Sequence, residues 1–355
     1  MSEFAIRKPI LWLAAGLLVG LAIQTSQARY AGNWSGLLSA GSDSPLLPTL
    51  AREIPNLVVF PGEGHDGQAT YGVGLDPLLN ERPPVVPDAS YRYRRILLPL
   101  LGSGFGTIQS RSLLNALTTL NLIGFALGCW AAAMIAESRK LRGWIAVAAL
   151  ANVGIWLSLQ TTTPDAFAFG LMMLGVAMAL RGSSGVAAVL LAAAILTKET
   201  YAVVSVGLIA WALARGDRRA AIRHAMAILP AGAWSLYLAM TLREGLATGG
   251  NLEIPFAGLL EATLLWPGTG LRDQILTALT LAGLGLSIYV TARQPWSFWS
   301  FLMVPWILLA LVSSHWIWDL GNNSIRSFAP LLTFALFAMV EPADQPSNSR
   351  RNLPV

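Results

Sequence analysis

Long apolar runs separated by short polar segments dominate the chain. Many of these runs continue for about fifteen residues or more without a charge, a length that approaches the thickness of a bilayer when the run is helical. Because some runs are short, one neighbouring pair could form a broken or tilted span. We therefore expect an all-α, polytopic integral membrane protein. The pattern predicts about ten membrane-spanning helices, with the approximate limits 9–23, 110–136, 143–160, 165–181, 184–197, 200–214, 224–241, 271–291, 297–316 and 326–340.

Residues 29–109 interrupt this pattern, and we predict that they form a large first extracytoplasmic loop. Gly, Pro, Ser and Asn are frequent near its start, where Gly36–Ala40 and Leu46–Ile54 are expected to form short helices at the membrane interface. The apolar segment Arg95–Phe105 is too short to cross a bilayer, and we expect a re-entrant or interfacial piece there.

The composition agrees with a membrane protein, since 54% of the residues are hydrophobic and only 12% are charged. We expect a single membrane domain over residues 1–340 and a disordered cytoplasmic tail over residues 341–355. The single cysteine, Cys129, excludes a disulfide within the chain and a cysteine metal site. Walker, HExxH, GxSxG and CxxC motifs are missing from the sequence, and nothing in it supports nucleic-acid binding.

The distribution of charge predicts the orientation of the chain. Arg7 and Lys8 precede the first apolar run, and with an uncleaved first span the predicted inner segments carry a net charge of +8 and the outer segments −3. Cytoplasmic loops collect Lys and Arg, so both termini are expected inside and the first loop outside. The small residues of Thr25–Ala28 leave a cleaved signal peptide as the alternative, which also places that loop outside.

Ionisable side chains are rare, and they gather at the predicted outer ends of the spans. Charges near a bilayer are costly, and they tend to be functional or paired. We therefore predict that several spans contribute to one polar site at the outer membrane surface. The candidates are His65, Asp66, Asp76, Arg92, Arg94 and Arg95 in the first loop, and Asp165, Lys198, Glu199 and Arg326 at span edges.

Two stretches of the first loop carry a resemblance to a known family. They are His65-Asp66-Gly67-Gln68, followed by Tyr71 and Asp76, and the segment YRYRRILLPL at 91–100. Together they resemble the first outer loop of bacterial GT-C membrane glycosyltransferases, which carry a DGQ-type motif and then an RYxRILxPLL-type stretch. The GPI mannosyltransferases have a related layout. Lys198-Glu199 and the element from Arg326 to Pro330 are similar to less specific elements of that superfamily.

The resemblance implies a sugar donor linked to polyprenyl phosphate and an acceptor hydroxyl on a glycan, a lipid or a protein. It also implies transfer, with inversion expected from a single base, on the outer face of a bacterial plasma membrane. Asp66 is the candidate general base, and cationic groups would stabilise the departing phosphate. A divalent cation stays open as a cofactor, since one His beside one Asp is a weak metal signal. The predicted substrate-binding residues are His65, Gln68, Tyr71, Asp76, Arg92, Arg94, Arg95, Asp165, Lys198, Glu199 and Arg326.

Structural interpretations exist for the same residues. The alternative for the stretch around Asp66 is a simple turn, and the alternative for the arginine cluster is an anchor to lipid headgroups. Lys198 and Arg326 would then form ion pairs with Glu199 and Asp319, and Asp165 would favour a helix N-terminus. A polytopic transporter or lipid flippase is the alternative function, although the chain shows no internal repeat of the kind that transporters carry.

Overall fold

The computed structural model of the protein describes residues 3–80, 84–242 and 250–341. Nearly all of the predicted cytoplasmic tail, residues 342–355, lies outside this part of the chain. The described residues are mostly helical, which confirms the all-α prediction apart from one parallel pair of two-residue strands.

The first third of the chain consists of one long helix followed by short elements. A 3₁₀ turn at Trp34–Leu38 follows the long helix. The elements are α1 (Glu3–Ala31), β1 (Ala40–Gly41), α2 (Leu47–Glu53), β2 (Val59–Phe60), α3 (Asp66–Leu75), α4 (Ala89–Arg92) and α5 (Leu97–Gly102).

Fourteen further helices follow, with short 3₁₀ turns at Gly143–Ala146, Glu199–Tyr201 and Trp266–Gly268. They are α6 (Ser110–Ser138), α7 (Val147–Leu150), α8 (Val153–Thr161), α9 (Asp165–Leu180), α10 (Ser184–Thr197), α11 (Ala202–Ala214), α12 (Arg218–Met226), α13 (Leu229–Leu242), α14 (Ala257–Leu265), α15 (Leu271–Arg293), α16 (Phe298–Val312), α17 (His315–Trp318), α18 (Gly321–Ser327) and α19 (Ala329–Val340).

Four helical stretches in the described part of the chain are long and apolar enough to cross a membrane, or six if each of two bent helix pairs counts as one span. The bent pairs are the stretch Gly143–Leu150 with α8, at 43°, and α18 with α19, at 56°. Of the shorter apolar helices, α10 has 14 residues and is about 21 Å long, against a hydrocarbon core of about 30 Å. The predicted total of ten spans stays a prediction. The four stretches are Pro9–Ala31, Ser112–Ser138, Arg218–Leu242 and Leu271–Arg293.

Two predicted spans are interrupted for identifiable reasons. The predicted span 297–316 ends at Val312, because Ser313 leaves the helix and forms an antiparallel bridge with Leu252. The predicted span 326–340 begins inside α18 and bends at Phe328. Pro330 lies in the first turn of α19 and has no N–H to continue the preceding helix.

Other helices extend beyond the predicted limits or were not predicted. The first helix continues eight residues beyond Ile23. In this extension Gln24 is buried, and its side-chain amide donates a hydrogen bond to the carbonyl oxygen of Thr118 at 3.0 Å. The span predicted to begin at residue 224 belongs to a stretch that begins at Arg218. In the first loop α2 matches its prediction, while α3 was not predicted.

The first loop is a folded layer with its own apolar core. Buried side chains of α3, the end of α4, α5 and the start of α6 pack together, including Tyr71, Tyr93, Leu98 and Leu117. A second, larger core lies among α6, α9, α11, α16 and α19, where Trp299 and other large side chains are fully buried. The loop residues therefore have fixed positions against the helix bundle.

Contacts of the long helix α6 distinguish the two ends of the bundle. The hydroxyl of Tyr71 reaches the carbonyl oxygen of Ser110, so α6 begins beside the first loop. About 40 Å further along the same helix, Glu137 pairs with Arg181 at 3.3 Å. We refer to the end that carries the first loop as the loop end.

Labelling of single cysteines tests the orientation. In a Cys129→Ser background, we expect Glu63→Cys to react with a membrane-impermeant maleimide in intact cells, because Glu63 is exposed in the first loop. Arg219→Cys, exposed at the start of α12, should react only after permeabilisation. The reverse labelling pattern would show that the loop end faces the cytoplasm.

Candidate active site

Asp66 lies at the centre of a cluster of arginines at the loop end. Its Oδ1 accepts a hydrogen bond from Nη1 of Arg92 at 2.5 Å. Its Oδ2 lies 3.3 Å from Nη2 of Arg326 and 3.9 Å from Nη1 of Arg95. The carboxylate therefore joins two arginines of the first loop to one that comes 260 residues later in the chain. We call Asp66, Arg92, Arg95 and Arg326 the Asp66 cluster.

The backbone around Asp66 is held by a close approach of two chain segments. Asp66 is the first residue of α3, and His65 before it is extended. A Cβ on Gly67 would lie 1.9 Å from the carbonyl oxygen of Thr161, the last residue of α8. Only glycine fits there, so the first turn of α3 packs directly against the bundle. This contact fixes the position from which Asp66 reaches the arginines.

Arg95 is held on several sides. Its Nε and Nη2 donate to the two carboxylate oxygens of Glu199, each at 3.0 Å. Nη2 also donates to the hydroxyl of Tyr91, and the guanidinium lies 4.7 Å from the centre of the Tyr91 ring. A planar guanidinium is suited to such bidentate and stacked contacts. The pair with Glu199 ties the first loop to the turn between α10 and α11.

The electrostatics keep Asp66 ionised. Burial by itself would raise the pKa of its carboxyl, but the positive charges of Arg92, Arg326 and Arg95 outweigh burial and hold the pKa far below its usual range. The pKa of His65 is lowered by burial and by the charge of Arg326, so this imidazole is neutral at pH 7. The Asp66 cluster thus combines one carboxylate and three guanidinium groups.

Arg326 has unused hydrogen-bonding capacity. Its side chain is only 7% exposed, and within the described residues its Nε and Nη1 have no hydrogen-bond acceptor. Buried donors without partners are rare and costly in folded proteins. Two such donors on a cation beside a carboxylate are suited to an anionic group that enters from outside the chain.

Asp165 and Lys198 form a second charged pair at the loop end. The two side chains are 3% and 6% exposed, and Nζ of Lys198 donates to Oδ1 of Asp165. The turn before α9 positions Asp165, because the hydroxyl of Ser158 donates to the carbonyl oxygen of Thr163 at 2.8 Å and accepts from the N–H of Ala166 at 2.9 Å. The alternative prediction, an ion pair of Lys198 with Glu199, is wrong. Lys198 pairs with Asp165, and Glu199 pairs with Arg95.

The structure does not bring every predicted residue to Asp66. Gln68 links the N–H of Gly41 to the carbonyl oxygen of Glu63. Tyr71 is fully buried, its hydroxyl donates to Ser110, and burial raises the pKa of that hydroxyl to about 12.

Two other predicted residues also lie apart from the carboxylate. Asp76 is buried and accepts from the N–H of Asn80 at 2.9 Å, as expected of a residue that closes a turn. Arg94 is half-buried and takes no part in the ion pairs of Asp66.

Tyr91 and Tyr201 were not predicted as site residues, although both stand beside residues that were. Tyr91 lies under two guanidinium groups, with its ring centre 5.3 Å from Arg92 and 4.7 Å from Arg95. The hydroxyl of Tyr201 lies 3.4 Å from the carbonyl oxygen of Asp165. The alternation of Tyr and Arg at 91–95 was the available signal for Tyr91, since stacking of Arg on Tyr is common.

A narrow cleft opens beside Asp66. It has a cavity volume of about 10 Å³, room for about one water molecule, and is lined by Asp66, Arg92 and Arg95 together with other side chains of α3 and α5. Sites for drug-sized ligands usually measure about 300–1,000 Å³. A larger substrate would therefore have to displace arginine side chains from the carboxylate.

Comparisons with known proteins add no family assignment. No protein-family profile, curated protein or solved structure matches this chain. The resemblance to GT-C glycosyltransferases therefore rests on the sequence motifs, and its implications stay predictions.

The close approach at Gly67 generates a stability prediction. Gly67→Ala should lower the free energy of unfolding by about 1–3 kcal/mol, since the added methyl group clashes with the Thr161 carbonyl. Thermal unfolding of the purified protein in detergent measures the change. Gly232→Ala is the matched control, because a Cβ there meets open space. Equal melting temperatures for the two variants would contradict the packing described for α3.

The pair of Asp165 and Lys198 can be tested by a double-mutant cycle. Lys198→Met should cost about 3–5 kcal/mol of unfolding free energy because it leaves a buried carboxylate without its partner. Adding Asp165→Asn should restore part of that loss. The parallel cycle of Lys198→Met with Glu199→Gln should show weaker coupling. Stronger coupling to Glu199 would mean that the pairing described here is wrong.

Proposed function

We propose that the protein is a membrane glycosyltransferase of the GT-C type. It moves a sugar from a polyprenyl-phosphate donor to an acceptor hydroxyl at the outer face of a bacterial plasma membrane. The candidate spans, the excess of positive charge on the predicted inner segments and the first-loop motifs support this proposal.

The observation that carries the proposal is the Asp66 cluster. One carboxylate stands among three guanidinium groups in a folded loop at one end of an apolar bundle, and Arg326 has two buried donors without acceptors. Transfer from a phosphate-linked sugar requires one proton acceptor and positive charge at the leaving group, and both occur here within hydrogen-bonding distance of each other.

In the proposed reaction the carboxylate of Asp66 takes the proton from the acceptor hydroxyl. The acceptor oxygen attacks the anomeric carbon, and the bond from that carbon to the phosphate oxygen breaks. The polyprenyl phosphate leaves with the bonding electrons, and Arg326 and Arg92 stabilise its added negative charge. A single carboxylate base leads to inversion at the anomeric carbon.

The arginines also govern how basic Asp66 is. While they pair with Asp66, they hold its pKa far below the usual range, and the carboxylate is a poor base. A donor phosphate that binds the same guanidinium groups partly neutralises them and releases Asp66. The base thus becomes effective only with the donor in place, which limits wasteful reaction without donor.

Arg95 has a different role from Arg92 and Arg326. Glu199 binds it through both carboxylate oxygens, and Tyr91 binds it from the side. We assign it a positioning function that holds the first loop against the bundle. Arg92 and Arg326 are the arginines that would release Asp66 and bind the donor phosphate.

Donor turnover by the purified protein tests the proposal. Radiolabelled polyprenyl-phosphate hexoses and pentoses are incubated with the protein and with a membrane extract as the source of acceptors. Asp66→Asn should lower transfer about 10²–10⁴-fold, and Arg326→Gln about 10²–10³-fold. Glu137→Gln and Arg181→Gln remove the same chemical groups at the opposite end of the bundle and should leave transfer unchanged.

Two outcomes would contradict the proposal. Asp66→Asn with full transfer activity would show that the carboxylate is not the base. Movement of the lipid-linked sugar across liposome membranes without any covalent product would identify a flippase. Size-exclusion profiles of each variant establish that the changes do not arise from misfolding.

A further inference from the structure

Three potential metal ligands converge in a part of the chain that the proposed reaction does not use. Nδ1 of His315 lies 3.1 Å from Oε1 of Glu253 and 3.5 Å from Oε2 of Glu261. One ligand atom from each side chain lies within 4.8 Å of the other two. The three residues come from the strand-like segment before α14, from α14 itself and from the start of α17.

The backbone holds these three residues in place. The N–H of Glu253 donates to the carbonyl oxygen of Val312 at 2.8 Å, and the N–H of Ser314 donates to Asn251 at 2.9 Å. A Cβ on Gly258 would lie 2.3 Å from the carbonyl oxygen of Ser313, so α14 packs directly on the segment that leads into His315. These contacts therefore fix the backbone from which the three side chains extend before any ion binds.

The distances agree with those around a small divalent ion. In a tetrahedral zinc site each ligand atom lies about 2.0–2.1 Å from the metal, so two such atoms are about 3.3 Å apart. The two distances from Nδ1, 3.1 and 3.5 Å, lie on either side of this value. The Glu261 side chain is 56% exposed and can rotate to complete the site, which also gives the ion a path from solvent.

The charge of the cluster also favours a cation. Two carboxylates stand together, and no Lys or Arg forms an ion pair with either of them in the part of the chain that the structure describes. Imidazole with carboxylates is a ligand set typical of zinc and neighbouring transition metals, whereas magnesium and calcium prefer oxygen ligands alone.

We propose that Glu253, Glu261 and His315 bind a divalent transition-metal ion, with zinc as the best fit. The ion would cross-link α14 to α17, the short helix that leads into α18. Because α18 carries Arg326, the metal acts as a structural clamp on the segment that delivers this arginine to Asp66. Water or a further ligand would complete the coordination.

Zinc binding by the full-length protein in detergent tests this proposal without any sugar donor. The protein is stripped with a chelator, incubated with zinc chloride and desalted, and bound zinc is measured by elemental analysis. We expect one zinc ion per chain and a higher melting temperature with zinc, since a ligand that binds only the folded state stabilises it.

Variants of the ligands should lose this response. His315→Gln and Glu253→Gln should lower zinc affinity at least about tenfold and abolish the thermal shift. Glu261→Gln alters a largely exposed side chain, so it tests the site with little risk to folding. His224→Gln and Glu63→Gln are the matched controls outside the cluster and should retain zinc.

Two results would overturn the proposal. One is wild-type protein that retains no zinc after desalting, in which case the contacts are direct side-chain contacts alone. The other is zinc retention in His315→Gln equal to that of the wild type. Neither result depends on glycosyl transfer, so the metal site and the proposed function can fail independently.

Discussion

A half-buried carboxylate surrounded by arginines is the interaction on which the loop end depends. Asp66 is joined to Arg92 and Arg95 of the first loop and to Arg326 near the end of the chain. Taking a charge out of water is costly unless an opposite charge compensates, and Arg95 and Arg326, at 14% and 7% exposed, lie mostly out of water. The network is therefore stable only when all its segments are assembled. It makes the position of the loop against the bundle a condition of folding.

The same network connects structure with the proposed chemistry. Arg95 is fully engaged by Glu199 and Tyr91, whereas Arg326 has two buried donors without partners. The arginines that pair with Asp66 can release it and bind an incoming phosphate instead. This exchange would leave no unpaired charge facing the apolar interior. The proposed metal clamp at His315 would act on the same arginine through the chain between α17 and α18.

Much of the architecture could be predicted from the sequence, because apolar runs follow directly from the cost of placing polar groups in lipid. The limits of α6, α9, α10 and α15 agree with those predictions to within about two residues. The failures have local causes. Ser313 breaks a predicted span because its backbone pairs with residue Leu252, a contact invisible in any window of sequence. Short helices such as α3 carry no clear helical periodicity, since they are packed on several sides.

The sequence by itself indicated that charged groups from several helices would gather at one end of the spans. Charged residues are rare in this chain, and near a bilayer they are costly unless they are paired. Asp66, Arg92, Arg95 and Arg326, at one end of the spans, could therefore be expected in one site. Only the tertiary structure decided the pairing. Lys198 binds Asp165 and not its neighbour Glu199, and Arg326 binds Asp66 and not Asp319. The partner of each charge depends on the depth and rotation of its helix in the packed bundle. Those are set by the burial of large side chains far from the site, and sequence separation carries no information about them.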